Sequence, residues 1–271
     1  MNLVPDASHS LRRLEGDGNR FLLVDHLAGQ SVEDPSGHAR RVCEDDPFEP
    51  DGVLHLDRDA GGQLRMVLFN RDGSRPETCG NGLRCLAWHA VVAGYETCGT
   101  FDLVTDAGPA PARVTRTRQG DLQVQVALGP VRIVEHVELG SSLPEAVWVD
   151  CGNPHLVVPG MALDEERAGM SLAEWGPKLS CDPRFPDGIN VEFVSLGPEG
   201  ISARVWERGV GETGACGSGA CAVARVAVHR GDAKWPVTVR LPGGVLTLSP
   251  CDPGDLIWMQ GSVRGEDRTT P

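Results

Sequence analysis

The chain has 271 residues, of which 40 % are hydrophobic and 23 % charged, the make-up of a folded protein long enough for two compact lobes. Its formal net charge of −13 excludes a nucleic-acid partner, which needs a basic footprint. No stretch approaches the roughly 20 apolar residues that span a bilayer, so no membrane partner is expected.

Met1 to Arg13 carries Pro5, Asp6 and His9 and no apolar core. It therefore reads as a frayed tail over the first ten residues rather than a secretory signal. Alternating or β-rich runs then recur: Arg20–Val24, Gly52–Leu56, Leu64–Phe69, Phe101–Val104, Leu122–Leu128, Ala146–Val149 and Leu156–Val158. They continue at Asn190–Ser195, Ile201–Val205, Val237–Leu241, Val245–Leu248 and Leu256–Met259. With 34 glycines and 20 prolines, and turns such as Gln119-Gly120-Asp121 and Pro242-Gly243-Gly244, this predicts short, mostly antiparallel strands and few helices.

Two similar segments interrupt the pattern. One begins Cys79-Gly-Asn-Gly and the other Cys216-Gly-Ser-Gly; each continues through Ala- and Val-rich sequence to a glycine 15 positions after its cysteine, Gly94 and Gly231. Composition and length predict a helix closed by that glycine, apolar nearly all round and hence buried in its own lobe. The cysteines lie 137 residues apart, about half the chain, which points to an internal duplication. The expected fold is α+β: two pseudo-symmetric lobes, each a curled, mostly antiparallel sheet around a central helix. The N-terminal lobe covers residues 1–125 and carries Cys79; the C-terminal lobe covers 126–257 and carries Cys216. The last strand, Leu256–Met259, and the tail, from about residue 258, are expected to return to the first lobe.

A cysteine at a helix N-terminus faces unpaired N–H groups and the positive end of the dipole, which favour thiolate and draw its pKa from about 8.5 toward neutrality. Two such ends facing one another would hold a carboxylate between two sulfurs. One thiolate then takes the proton α to that carboxylate, and the other thiol returns a proton from the opposite face. Oxidation to a disulfide would follow from that closeness. Cys43, Cys85, Cys98 and Cys221 read as small buried hydrophobes. A zinc site is disfavoured, because C-x5-C and C-x4-C on helices turn the thiols apart. A phosphate loop in Gly211–Gly219 lacks the Lys-Ser/Thr pair. Nine cysteines, an odd number, suit reduced thiols in the cytoplasm better than a disulfide framework.

The residues resemble the diaminopimelate epimerase family. The resemblance rests on Phe69-Asn-Arg-Asp-Gly-Ser-Arg-Pro-Glu-Thr-Cys-Gly-Asn-Gly-Leu-Arg84, on Cys151-Gly-Asn-Pro-His155, and on the run from Trp206 through Cys216 to Cys221. Gly18-Asn-Arg-Phe21 and Leu241-Pro-Gly-Gly244 extend it along nearly the whole chain. Gly-Asn after the first cysteine separates the sequence from the related proline racemases, which have Gly-His.

The resemblance implies a homodimeric epimerase that needs no pyridoxal phosphate, no other cofactor and no metal, and that acts on a small amino acid. It makes Cys79 and Cys216 the acid/base pair and gives the reacting carboxylate to the N–H groups of Gly80, Asn81, Gly217 and Ser218. Glu207 would bind the reacting amino group. Asn19, Asn70, Asn153, Asn190 and Arg208 would hold the far end of the substrate, and His155 would tune the sulfurs. The leading expectation is interconversion of L,L- and meso-diaminopimelate for lysine and peptidoglycan synthesis; the rival is the same chemistry on another amino acid in metallophore or antibiotic synthesis. Two departures bear on that choice. Arg20 stands where the family has Asp, and Asp45-Asp-Pro-Phe-Glu-Pro50 replaces a glycine-rich loop.

Overall fold

The computed structural model describes residues 11–44, 46–140, 144–160, 172–198, 200–252 and 254–266. The frayed tail expected over the first ten residues, Asp45 of the altered loop and the last five residues lie outside the described residues. The chain divides into two compact units, Met1–Val126 with Ser262–Pro271, and Ala127–Gly261. No helix among the described residues is long and apolar enough to cross a membrane.

In chain order the first unit holds β1 (Arg12–Gly16), β2 (Asn19–Asp25), α1 (Pro35–Glu44), β3 (Gly52–Arg58), β4 (Leu64–Asn70), α2 (Gly80–Val92), β5 (Gly99–Thr105) and β6 (Gly108–Arg116). β7 (Leu122–Leu128) pairs with β6 and crosses the boundary. The second unit holds β8 (Arg132–Val137), β9 (Ala146–Asp150), β10 (Pro154–Pro159), α3 (Leu172–Ser180), β11 (Asn190–Gly197) and β12 (Gly200–Glu207). It continues with β13 (Gly211–Thr213), α4 (Gly217–Arg230), β14 (Val237–Leu241), β15 (Gly244–Cys251) and β16 (Leu256–Gly261); β17 (Arg264–Gly265) follows in the first unit.

The duplication read from two cysteine motifs extends to the whole pairing scheme. Along β1 to β6 the neighbours pair antiparallel, parallel, antiparallel, parallel and antiparallel. β9, β10, β11, β12, β14 and β15 repeat that alternation. Parallel neighbours need a crossover, and each crossover carries a helix: α1 and α2 in one unit, α3 and α4 in the other. α2 touches β1, β2, β3, β4, β6 and β17, and α4 touches β8 to β12 and β14 to β16, so each is the central helix of a curled sheet.

α1 and α3 pack on the strands from outside the curl. Ala39 and Cys43 of α1 join Leu22, Val24 and Val53, while Leu172 and Leu179 of α3 join Leu156, Val191 and Phe193. Strands covered on both faces become continuous apolar runs, which is why Phe21–Val24 shows no alternation.

The strand at Leu256–Met259 differs from expectation. It lies in β16, pairs with β15 and stays in the second unit, where Ile257, Trp258 and Met259 are buried. The chain returns only at Ser262, and β17 pairs with β1. α1, α3, β1, β6, β8, β13 and β17 are additional to the elements expected from sequence.

Candidate active site

Cys79 is the N-cap residue of α2, with an extended backbone (φ −151°, ψ 115°), and its Sγ accepts the Gly82 N–H at 3.4 Å. Cys216 has the same place on α4 (φ −133°, ψ 108°), with its Sγ 3.5 Å from the Ser218 hydroxyl. The first N–H groups of a helix have no intrahelical acceptor. In these helices they belong to Gly80, Asn81, Gly217 and Ser218, the residues expected to take a carboxylate.

The two thiols are not equivalent. Cys79 is half-buried and Cys216 is buried. Burial, then the Glu207 and Glu192 carboxylates, push the Cys216 thiol well above its ordinary range, against the Ser218 and Gly219 hydrogen bonds. The drift toward neutrality expected at a helix end therefore fails at Cys216, where desolvation outweighs the N–H groups. Of the other cysteines expected inside, Cys43, Cys85 and Cys221 are buried, but Cys98 is exposed, in the turn that leaves α2 for β5.

Around Cys79 a relay of side chains orients two asparagines. Buried Arg84 donates through Nη2 to Asp17 and, at 2.8 Å, to Asn81 Oδ1. Asn81 Nδ2 donates to Asn19 Oδ1 at 2.7 Å, and Asn19 Nδ2 to Asp51 at 3.2 Å. A guanidinium only donates and a carboxylate only accepts, so both amides are fixed in direction. Asn70 stands apart, at the end of β4, with its Nδ2 donating to Ser74 Oγ at 3.0 Å.

Around Cys216 the parallel pairing of β10 with β11 sets His155 beside Asn190. His155 Nδ1 lies 2.6 Å from Glu192 Oε1, and Nε2 lies 3.1 Å from Asn153 Oδ1. Asn190 donates to the Pro154 carbonyl at 3.1 Å and accepts the Arg208 N–H at 2.9 Å, tying three strands together. Glu207 accepts the Thr213 hydroxyl at 2.5 Å. Burial holds the Glu207 carboxyl above its ordinary range, opposed by Thr213 and reinforced by Glu192. Arg208 is exposed and donates to the Asp187 and Gly188 carbonyls rather than to Glu207. A cavity of about 380 Å³ opens beside it, lined by Asp182, Phe185, Asp187 and Gly209 among others; neither cysteine reaches it.

Sequence reasoning missed Asp17, Asp51, Arg84, Glu192 and Thr213. Glu192 had a readable signal: it is the one charge in Asn190-Val-Glu-Phe-Val194, between core residues. The two departures from the family pattern meet in space. Arg20 Nη2 pairs with Glu49 of the altered loop at 3.2 Å, and its guanidinium lies 5.9 Å from the Phe48 ring.

The family model for diaminopimelate epimerase matches residues 14–134 and 147–265. A diaminopimelate epimerase from Desulforudis audaxviator is 38 % identical over 92 % of this chain and 94 % of its own. One from Halorhodospira halophila is 34 % identical over 93 % and 91 %. Among solved structures, a phenazine biosynthesis protein of the PhzF family from Bacillus anthracis superposes with a TM-score of 0.72 at 14 % identity, covering 95 % of this chain and 96 % of that one. A hydroxyproline epimerase from Agrobacterium vitis gives 0.63 at 15 % identity, covering 95 % and 90 %. These likenesses are of fold alone; the sequence matches carry the kinship, and the chain belongs to the diaminopimelate epimerase family.

Proposed function

We propose that this enzyme interconverts L,L- and meso-diaminopimelate by moving one α-proton between Cys79 and Cys216, in the supply of lysine and peptidoglycan. The observation that carries the reading is the repeated helix start, a cysteine N-cap followed by Gly-polar-Gly, in both duplicated units. Cys216, kept as a thiol by burial, enters as the acid and Cys79 as the thiolate base. Cys79 takes the α-proton and becomes a thiol. The electron pair left on carbon spreads into the carboxylate, whose oxygens gain charge against the helix N–H groups. Cys216 then gives its proton to the opposite face and becomes the thiolate. Glu207 would hold the reacting ammonium, with the far end at Asn19, Asn70, Asn153, Asn190 and Arg208. The same reading makes the enzyme a cytoplasmic homodimer, and nine free thiols accord with a reducing compartment.

The Arg20–Glu49 pair favours a second reading, the same chemistry on another amino acid, because both departures lie in one contact. Incubating the reduced protein with L,L-diaminopimelate in deuterium oxide separates the two. Deuterium at one α-carbon with formation of the meso isomer, lost in both Cys79→Ala and Cys216→Ala, is the expected result. Absence of exchange would remove diaminopimelate as substrate and leave the second reading.

A further inference from the structure

Glu192 is a carboxylate with no exposed surface, on a strand whose neighbouring residues are all core. A buried charge is costly unless it is paired, so the fold retains this one against a penalty. Its Oε1 meets Nδ1 of His155, also fully buried, at 2.6 Å, and its Oε2 has no hydrogen-bond partner among the described residues. A Cβ added to Gly219 would stand 2.7 Å from that Oε1 and 3.3 Å from Cys216 Sγ. Carboxylate and thiol therefore flank one glycine in the first turn of α4. The other groups facing the carboxylate are Cys151, from the turn before β10, and Glu207, at the end of β12. Cys151 also senses Cys221 and Cys216 from α4 and Asp150 from β9.

We propose that Glu192 is a positioning residue: it holds His155 with a proton on Nδ1 and, across Gly219, keeps the proton on Cys216. The proposal rests on the reading of Cys216 as a proton donor. A carboxylate only accepts, so the contact to Nδ1 requires an N–H there. Across Gly219 the Glu192 carboxylate disfavours a Cys216 thiolate, so the sulfur keeps its proton until substrate takes it.

Two measurements need no substrate, so they stand apart from the choice of amino acid. Nitrogen-15 spectra of the reduced wild-type protein should show His155 Nδ1 protonated throughout the neutral pH range; a bare Nδ1 there overturns the proposal, and no variant has to fold. Iodoacetamide labelling of Cys216, followed by peptide mass spectrometry against pH, should show the midpoint falling by roughly one pH unit in Glu192→Gln, because a negative charge is removed. Glu192→Asp, which keeps the charge, should restore that midpoint; an unchanged midpoint in Glu192→Gln overturns the proposal. With substrate, the basic limb of kcat/KM against pH should move down by the same roughly one unit in Glu192→Gln, since Cys216 must enter as a thiol, and a limb that stays in place overturns the proposal.

Discussion

The two cysteines open closely similar segments, yet at Cys216 burial outweighs the helix end and lifts the thiol well above its ordinary range. The same competition acts on Glu207, which burial drives toward the neutral form while the Thr213 hydroxyl opposes it. Thr213→Val keeps the shape and removes the donor, so the Glu207 carboxyl should rise further. If Glu207 must be ionised to hold an ammonium group, a raised pKa leaves it protonated at higher pH. The acid limb of kcat/KM against pH should then move upward by about half to one unit, the worth of one net hydrogen bond. The high-pH plateau should hold. An unmoved limb, or one displaced to lower pH, would separate Glu207 from ammonium binding.

At the scale of elements, the outer helices connect stability to the site. Gly176 of α3 packs on the Trp206 ring so closely that an added Cβ would stand 2.6 Å from it, and Trp206 immediately precedes Glu207 and Arg208. Gly176→Ala should therefore cost about 1–3 kcal/mol by overpacking and raise KM as the end of β12 shifts. Denaturant titration and steady-state kinetics on one preparation check both effects; a stable variant with unchanged KM would uncouple α3 from the site. α3 and its partner α1 were also the helices hardest to read. α1 buries only Gly37, Ala39 and Cys43, too narrow a stripe to show a period, although Asp34-Pro35 marks its start and Asp34 accepts the Gly37 N–H at 2.9 Å. α3 contains Pro177, which argues against a helix in sequence. Pro109 and Pro111 hid β6. They lie two apart, so both missing N–H groups face the same edge, and β7 pairs with β6 only from Ala112 onward. β8, with Arg132, Glu135 and His136, is largely exposed and broken by a register shift. The cysteine motifs and central helices were legible because glycine and cysteine mark them locally. The relay through Arg84 and Asp17 was not, since its partners stand 67 residues apart and no local pattern joins them.

For the whole molecule, the repeated pairing scheme leaves one asymmetry that the chain must resolve. In the second unit β8 flanks β9 by simple sequence order, but β1 opens its unit with no earlier strand among the described residues to take that place. The segment after Gly261 supplies it. β17 pairs with β1, Gly265 lies directly on the Trp88 ring, and Ser262 donates its N–H at 3.1 Å and its hydroxyl at 2.9 Å to Asp17. Asp17 is nearly buried and already accepts from Arg84, so this end of the chain also steadies the Asn81–Asn19 relay beside Cys79. Ending the chain at Gly261 should remove two hydrogen bonds to a carboxylate, together about 3 kcal/mol, and lower Tm by roughly 10 °C. The loss should fall on the first unit, read by hydrogen exchange as faster opening of β1 and the start of α2 while β10 and β11 stay protected. Uniform loosening of both units, or no change in either, would show that the returning segment does not complete the first sheet.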